Sequence, residues 1–105
     1  MQISSRKVRD KIIEVRTDRF VSANLIEATV GTNCPQGGDS GHGGLTVLVL
    51  RDAAGTDIEC RLLPNDRDGN GGVEITLGGD TECETFADAL IWAGEVLKAQ
   101  MKPKN

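Results

Sequence analysis

No stretch of this 105-residue chain is apolar for long enough to span a bilayer, and the run Ser5-Arg6-Lys7-Val8-Arg9-Asp10-Lys11 places charge where a secretory signal would need apolar residues. Cysteine is sparse. Cys34, Cys60 and Cys83 are odd in number, widely spaced and without a Cys-x-x-Cys pair, which excludes a complete disulfide framework within the chain and points to a reducing cytoplasm. Positive charge falls short of negative, with 12 Lys and Arg against 16 Asp and Glu and a net charge of -4. That balance leaves no broad basic surface for counterion release from a nucleic-acid polymer, and the local run of Arg6, Lys7, Arg9 and Lys11 reads as a solvated face. Aromatics are confined to Phe20, Phe86 and Trp92.

Glycine is plentiful. The 13 glycines are more than a simple helical bundle tolerates, and the length suits one domain over residues 1–105. Val8, Ile12 and Val15 recur at helical spacing, while Ile13 and Val15 also suit a strand, so residues 1–16 read as helix or strand, the helix preferred. Residues 20–30 predict one strand, with Ile26, Ala28 and Val30 on one face and Leu25, Glu27 and Thr29 on the other. Residues 45–51 are apolar on both faces, which predicts a central strand covered from two sides. The turn Asp52-Ala53-Ala54-Gly55 then predicts a hairpin between that strand and the alternating Ile58, Cys60 and Leu62. Val73, Ile75 and Leu77 alternate with Glu74 and Thr76 as a further strand.

Thr81 with Glu84 has the form of a capping box opening a helix over 82–100. Its apolar stripe of Phe86, Leu90, Ala93 and Leu97 is widened by Ile91, Trp92 and Val96. The expected fold is therefore α+β: an antiparallel sheet of about four strands packed against a long C-terminal helix. One sheet covers one side of such a helix. The remaining apolar surface predicts a homodimer or higher homo-oligomer through the helix, with Trp92 at or near the interface; cover by the N-terminal segment is the alternative.

Residues 31–44, Gly31-Thr32-Asn33-Cys34-Pro35-Gln36-Gly37-Gly38-Asp39-Ser40-Gly41-His42-Gly43-Gly44, form a connection longer than a hairpin needs. Glycines let backbone amides converge on a phosphate or carboxylate, while Asn33, Gln36, Ser40 and His42 supply donors and acceptors for ribose hydroxyls or base edges. Candidate ligand-binding residues are thus Thr32, Asn33, Gln36, Gly37, Gly38, Asp39, Ser40, His42 and Gly43, with Arg51 and Arg61 as charge partners. The bland reading is a self-satisfied loop in which Asp39 and Ser40 bond neighbouring amides.

Sharper chemistry finds less support. Gly38-Asp39-Ser40-Gly41 is similar to a serine-protease nucleophile segment, but the chain is too short for two barrels and its one histidine stands two residues from the serine. Cys34, Asp39 and His42 lack the recurrent spacing of a structural zinc site, so neither metal nor cofactor is expected. No P-loop or dinucleotide fingerprint is present. At the second glycine cluster, Gly78-Gly79-Asp80, the carboxylates of Glu82 and Glu84 already occupy the field of the helix start, and Asp80 reads as helix-start chemistry.

The segment running from Ala28-Thr29-Val30 through residues 31–44, followed by a hairpin and by Gly78-Gly79-Asp80-Thr81-Glu82 leading into a helix, resembles small phage-encoded proteins, the Thoeris anti-defence sponges. The resemblance covers residues 26–101, and the extended helical portion of that family is here a single C-terminal helix. It implies an oligomer that captures cyclic ADP-ribose-type signals, with some members also holding cyclic oligonucleotides, in the cytoplasm of the host cell. The expectation is sequestration of a phosphorylated nucleotide without turnover. Two other functions are weighed beside it: a small phosphodiester or glycosidic hydrolase using His42 with Asp39, and a module that binds a host protein through the helix.

Overall fold

The computed structural model describes residues 1–34, 44–65, 67 and 69–101. Six strands precede one helix: β1 (Gln2–Val8), β2 (Lys11–Val21), β3 (Leu25–Thr32), β4 (Thr46–Ala54), β5 (Asp57–Leu63), β6 (Gly72–Gly78) and α1 (Asp80–Gln100). The first four make an antiparallel sheet in the order β1-β2-β3-β4, and β5 and β6 make a separate two-stranded sheet. The α+β expectation holds, with a four-stranded sheet and one long C-terminal helix.

The N-terminal segment is a β-hairpin, not a helix. Val8 pairs with Lys11 across a tight turn in which Arg9 takes a φ of 55°. The spacing of Val8, Ile12 and Val15 spans that turn, so its helical period carries no structural meaning. β1 is an edge strand exposed along almost its whole length, and Arg6 and Lys7 on it discourage pairing with another chain. The single strand expected over 20–30 is broken at Ser22, whose amide donates to the Asn24 carbonyl at 2.9 Å. Asn24 is buried there, donating from Nδ2 to Thr56 Oγ1 at 3.2 Å and accepting from Thr85 Oγ1 at 2.9 Å. One amide thus ties the β2–β3 turn to the root of β5 and to α1, and every polar atom in the knot has a partner.

Beyond the turn, the expected alternation is observed. Ile26, Ala28 and Val30 are fully buried on β3. They face Phe20, Asp18 and Arg16 across the β2 ladder, and α1 seats Ala93 and Val96 against Val30 with Trp92 and Leu97 alongside. The helix buries Thr85, Ala89, Ala93 and Val96, a face of small residues that lets its backbone approach the sheet closely. Leu90 and Ile91, read as part of the apolar stripe, are exposed. Trp92 turns inward onto Phe20, their rings edge to face at 5.5 Å.

Three further expectations are corrected. β4 pairs with β3 as an edge strand and is not central, and its partner is not β5. β5 instead pairs with β6, because Ala54, Gly55 and Thr56 turn the chain out of the sheet plane while Thr56 is held by the Leu25 carbonyl at 3.1 Å and by Asp52 Oδ1 at 3.2 Å. The capping box does not form: α1 starts two residues early behind Gly79, whose φ of 113° suits glycine alone, and Thr81 Oγ1 donates to Glu82 Oε2 at 3.0 Å. Among the described residues no helix is long and apolar enough to cross a membrane.

Candidate functional site

The glycine-rich connection leaves the sheet between β3 and β4, and the described residues at its two ends form a tightly bonded neck. Asn33 N–H donates to the Leu45 carbonyl at 3.3 Å, and Leu45 N–H donates back to Asn33 Oδ1 at 2.8 Å. Thr32 is buried beside them. Its hydroxyl donates to the Leu45 carbonyl at 3.1 Å, shares a 2.9 Å contact with Thr46 Oγ1 and accepts from Cys34 N–H at 3.1 Å. Gly44 packs so closely on Cys34 that an added Cβ would meet the cysteine Cα and Cβ at 3.3 Å. Cys34 and Gly44 are therefore held side by side on a base fixed by hydrogen bonds.

The ladder opens next to this neck. Pairing of β2 with β3 ends at Val15 and Gly31, and past that point the side-chain amide of Gln100 bridges the two strands. Thr32 N–H donates to Gln100 Oε1 at 3.1 Å, and Gln100 Nε2 donates to the Glu14 carbonyl at 3.0 Å. Both backbone groups stay satisfied although the strands no longer reach one another. The parting leaves a polar cleft of about 360 Å³ lined by Ile12, Ile13, Glu14, Arg16, Thr32, Asn33, Ala99 and Gln100. That volume falls within the range of small-molecule sites.

Arg16 is the cation of the cleft. Its side chain is 27% exposed, its NH2 group lies 3.8 Å from Glu14 Oε2, and its Nε is buried with no hydrogen-bond partner among the described residues. An arginine so placed offers directed N–H donors to a planar or tetrahedral oxyanion, while Glu14 supplies an acceptor for a hydroxyl or amine. The site therefore presents both signs within one small cleft.

The expected site residues separate accordingly. Thr32 and Asn33 reach the cleft, but their side-chain oxygens are engaged in building the neck. Gln36, Gly37, Gly38, Asp39, Ser40, His42 and Gly43 lie outside the described residues. Arg51 and Arg61 do not line the cleft. Arg51 sits on β4 with its Nε 3.9 Å from Glu27, which is also paired with Arg19 at 3.1 Å, and Arg61 on β5 pairs with Glu74 of β6 at 3.3 Å. Sequence reading missed Arg16 and Gln100. The signal for Arg16 was a charge set directly after the alternating Ile13 and Val15. Gln100 carried none, since its partner Glu14 is 86 positions away. Among the described residues no group of three or more His, Cys, Asp or Glu is placed to hold a metal. Comparison with protein-family models, curated proteins and solved structures finds no match to this chain.

Proposed function

We propose that the protein binds and sequesters a small phosphorylated nucleotide signal, of cyclic ADP-ribose or cyclic oligonucleotide type, and releases it unaltered, as a phage anti-defence sponge. The observation that carries this reading is the juxtaposition of the bonded neck of Thr32, Asn33 and Leu45 with a polar cleft of about 360 Å³ that Arg16 and Glu14 line. Arg16 replaces Arg51 and Arg61 as the charge partner for a phosphate, because it lies at the cleft and they do not. The acidic net charge is compatible with a compact dianion held by directed donors, where it would repel a long polyanion.

Calorimetric titration with cyclic ADP-ribose isomers and cyclic dinucleotides tests the assignment. Arg16→Gln, Asn33→Ala and His42→Ala are each expected to weaken binding about ten-fold or more, equivalent to about 1.4 kcal/mol. The Asn33 change acts by removing the side-chain bond that closes the neck. Affinities unchanged in all three, with far-ultraviolet circular dichroism intact, would place the ligand elsewhere.

A further inference from the structure

Asn24 precedes Leu25 in the sequence, Asn33 precedes Cys34, Asn65 precedes Asp66 and Asn70 precedes Gly71. Only Asn70 has a glycine behind it. Glycine carries no Cβ, so its amide nitrogen can approach the preceding side chain without steric obstruction. Asn-Gly is also the strongest short signal for a two-residue hairpin turn, which would account for the pair on structural grounds. It does not serve that purpose here. The β5–β6 ladder ends at the pair Leu63 and Gly72, and Asn70 and Gly71 lie beyond it, in the longer connection at the hairpin tip.

The fold separates these asparagines further. Asn24 is buried, and both ends of its amide are engaged, Nδ2 with Thr56 Oγ1 and Oδ1 with Thr85 Oγ1. Asn33 Oδ1 accepts from Leu45 N–H at 2.8 Å, which holds its carboxamide in the neck. Asn70 and Gly71 are both exposed. Gly71 takes a φ of 88°, and an added Cβ there would stand 2.6 Å from the Leu63 carbonyl oxygen and 2.8 Å from Asn65 Oδ1. The position suits glycine alone, so the unobstructed amide behind Asn70 belongs to the backbone path of the tip.

We propose that Asn70 is a site of spontaneous covalent modification, its side chain cyclising onto the Gly71 nitrogen and opening to aspartate and isoaspartate. The Gly71 nitrogen, its proton passed to solvent hydroxide, attacks Asn70 Cγ. A C–N bond forms there, the bond to the side-chain nitrogen breaks, and that nitrogen takes up a proton and leaves as ammonia. Water then opens the succinimide at either carbonyl, so that one water enters, one ammonia leaves and no oxidation state changes. Both products add a carboxylate to the tip, and isoaspartate also lengthens the main chain by one carbon close to the pair Leu63 and Gly72. A two-stranded hairpin is marginal in water, so the change loosens the ends of β5 and β6 and leaves the four-stranded sheet intact. It needs no ligand, and its test stands apart from that of the sponge reading.

The test is to incubate the purified protein at mildly alkaline pH in water enriched in heavy oxygen, then to map its peptides by mass spectrometry and assay isoaspartate by enzymatic methylation. Asn70 is expected to convert about ten-fold or more faster than Asn24 or Asn33, taking up one oxygen from solvent. The rate should rise with pH, because the Gly71 amide must lose its proton to attack. Asn70→Gln, whose longer side chain must close a larger ring, is expected to stay unmodified over the same period with its circular dichroism unchanged. Amide hydrogen exchange should quicken in β5 and β6 of the converted protein and stay as it was in the four-stranded sheet. Absence of conversion at Asn70 in the folded protein, while a urea-denatured sample converts, would overturn the proposal. So would conversion of Asn24 or Asn33 at the rate of Asn70.

Discussion

Gly31→Ala is expected to lower stability by about 1–3 kcal/mol, as overpacking of a closed site does. Gly31 lies in β3 opposite Val15, where pairing with β2 ends. An added Cβ would strike the Glu14 carbonyl oxygen and would stand 2.8 Å from Val15 Cγ1 and 3.0 Å from Val15 Cα. Two of these three atoms are backbone, and the third belongs to a side chain only 2% exposed, so none can swing aside. The displaced strand would also drag the Glu14 carbonyl from Gln100, loosening both the end of α1 and the cleft. Urea denaturation should show a midpoint lower by roughly 1 M at the slope usual for small domains. An unchanged midpoint would mean that β2 and β3 do not approach as closely as described.

Trp92→Glu is expected to cost about 3 kcal/mol or more, within the range for losing a large aromatic from a core. Trp92 packs on Phe20 of β2 and on the cluster of Val30, Ala93 and Val96, which holds the helix to the sheet. A carboxylate in its place would leave Phe20 uncovered and set an unpaired charge against an apolar surface. Ile91→Glu, at the adjacent but 61% exposed position, should change stability by less than about 0.5 kcal/mol. Thermal denaturation separates the pair, with the Trp92 variant melting roughly 10–20 °C lower and the Ile91 variant near wild type. A Trp92→Glu protein that melts like wild type but loses mass in light scattering would instead give this ring a role between chains.

Local pattern and long-range placement were unequally legible. The alternation of Ile26, Ala28 and Val30 marked the buried side of β3 because a two-residue period has one interpretation when a single face is covered. The helix, too, was plain from its length and composition, though its buried face proved to be the small residues Ala89 and Ala93, whose close approach to the sheet hydrophobicity does not reveal. Strand partnership was not legible. A turn after β4 looked like half of a hairpin, whereas buried Thr56 redirects the chain, and that redirection depends on Asn24 and Thr85, both remote in sequence. Gly79 displaced the expected cap by the same kind of local detail, a positive φ that only the folded backbone shows.

The site divides likewise. Asn33 and Thr32 were visible as polar residues entering a glycine-rich segment, but their use in bonding the neck follows from the position of Leu45 and Thr46 across the β3–β4 ladder. Arg16 and Gln100 meet at the cleft only because α1 ends over the parting of β2 from β3. Such a site is assembled by the fold from single residues, each unremarkable in its own segment.

The most direct test of the sponge reading is to incubate the purified protein with cyclic ADP-ribose isomers and cyclic oligonucleotides, remove free ligand, denature the protein by heat and identify what is released by chromatography and mass spectrometry. Release of one of these nucleotides intact, in an amount stoichiometric with the protein, is the expected result. Release of a hydrolysed product, or retention of none of them, would contradict it.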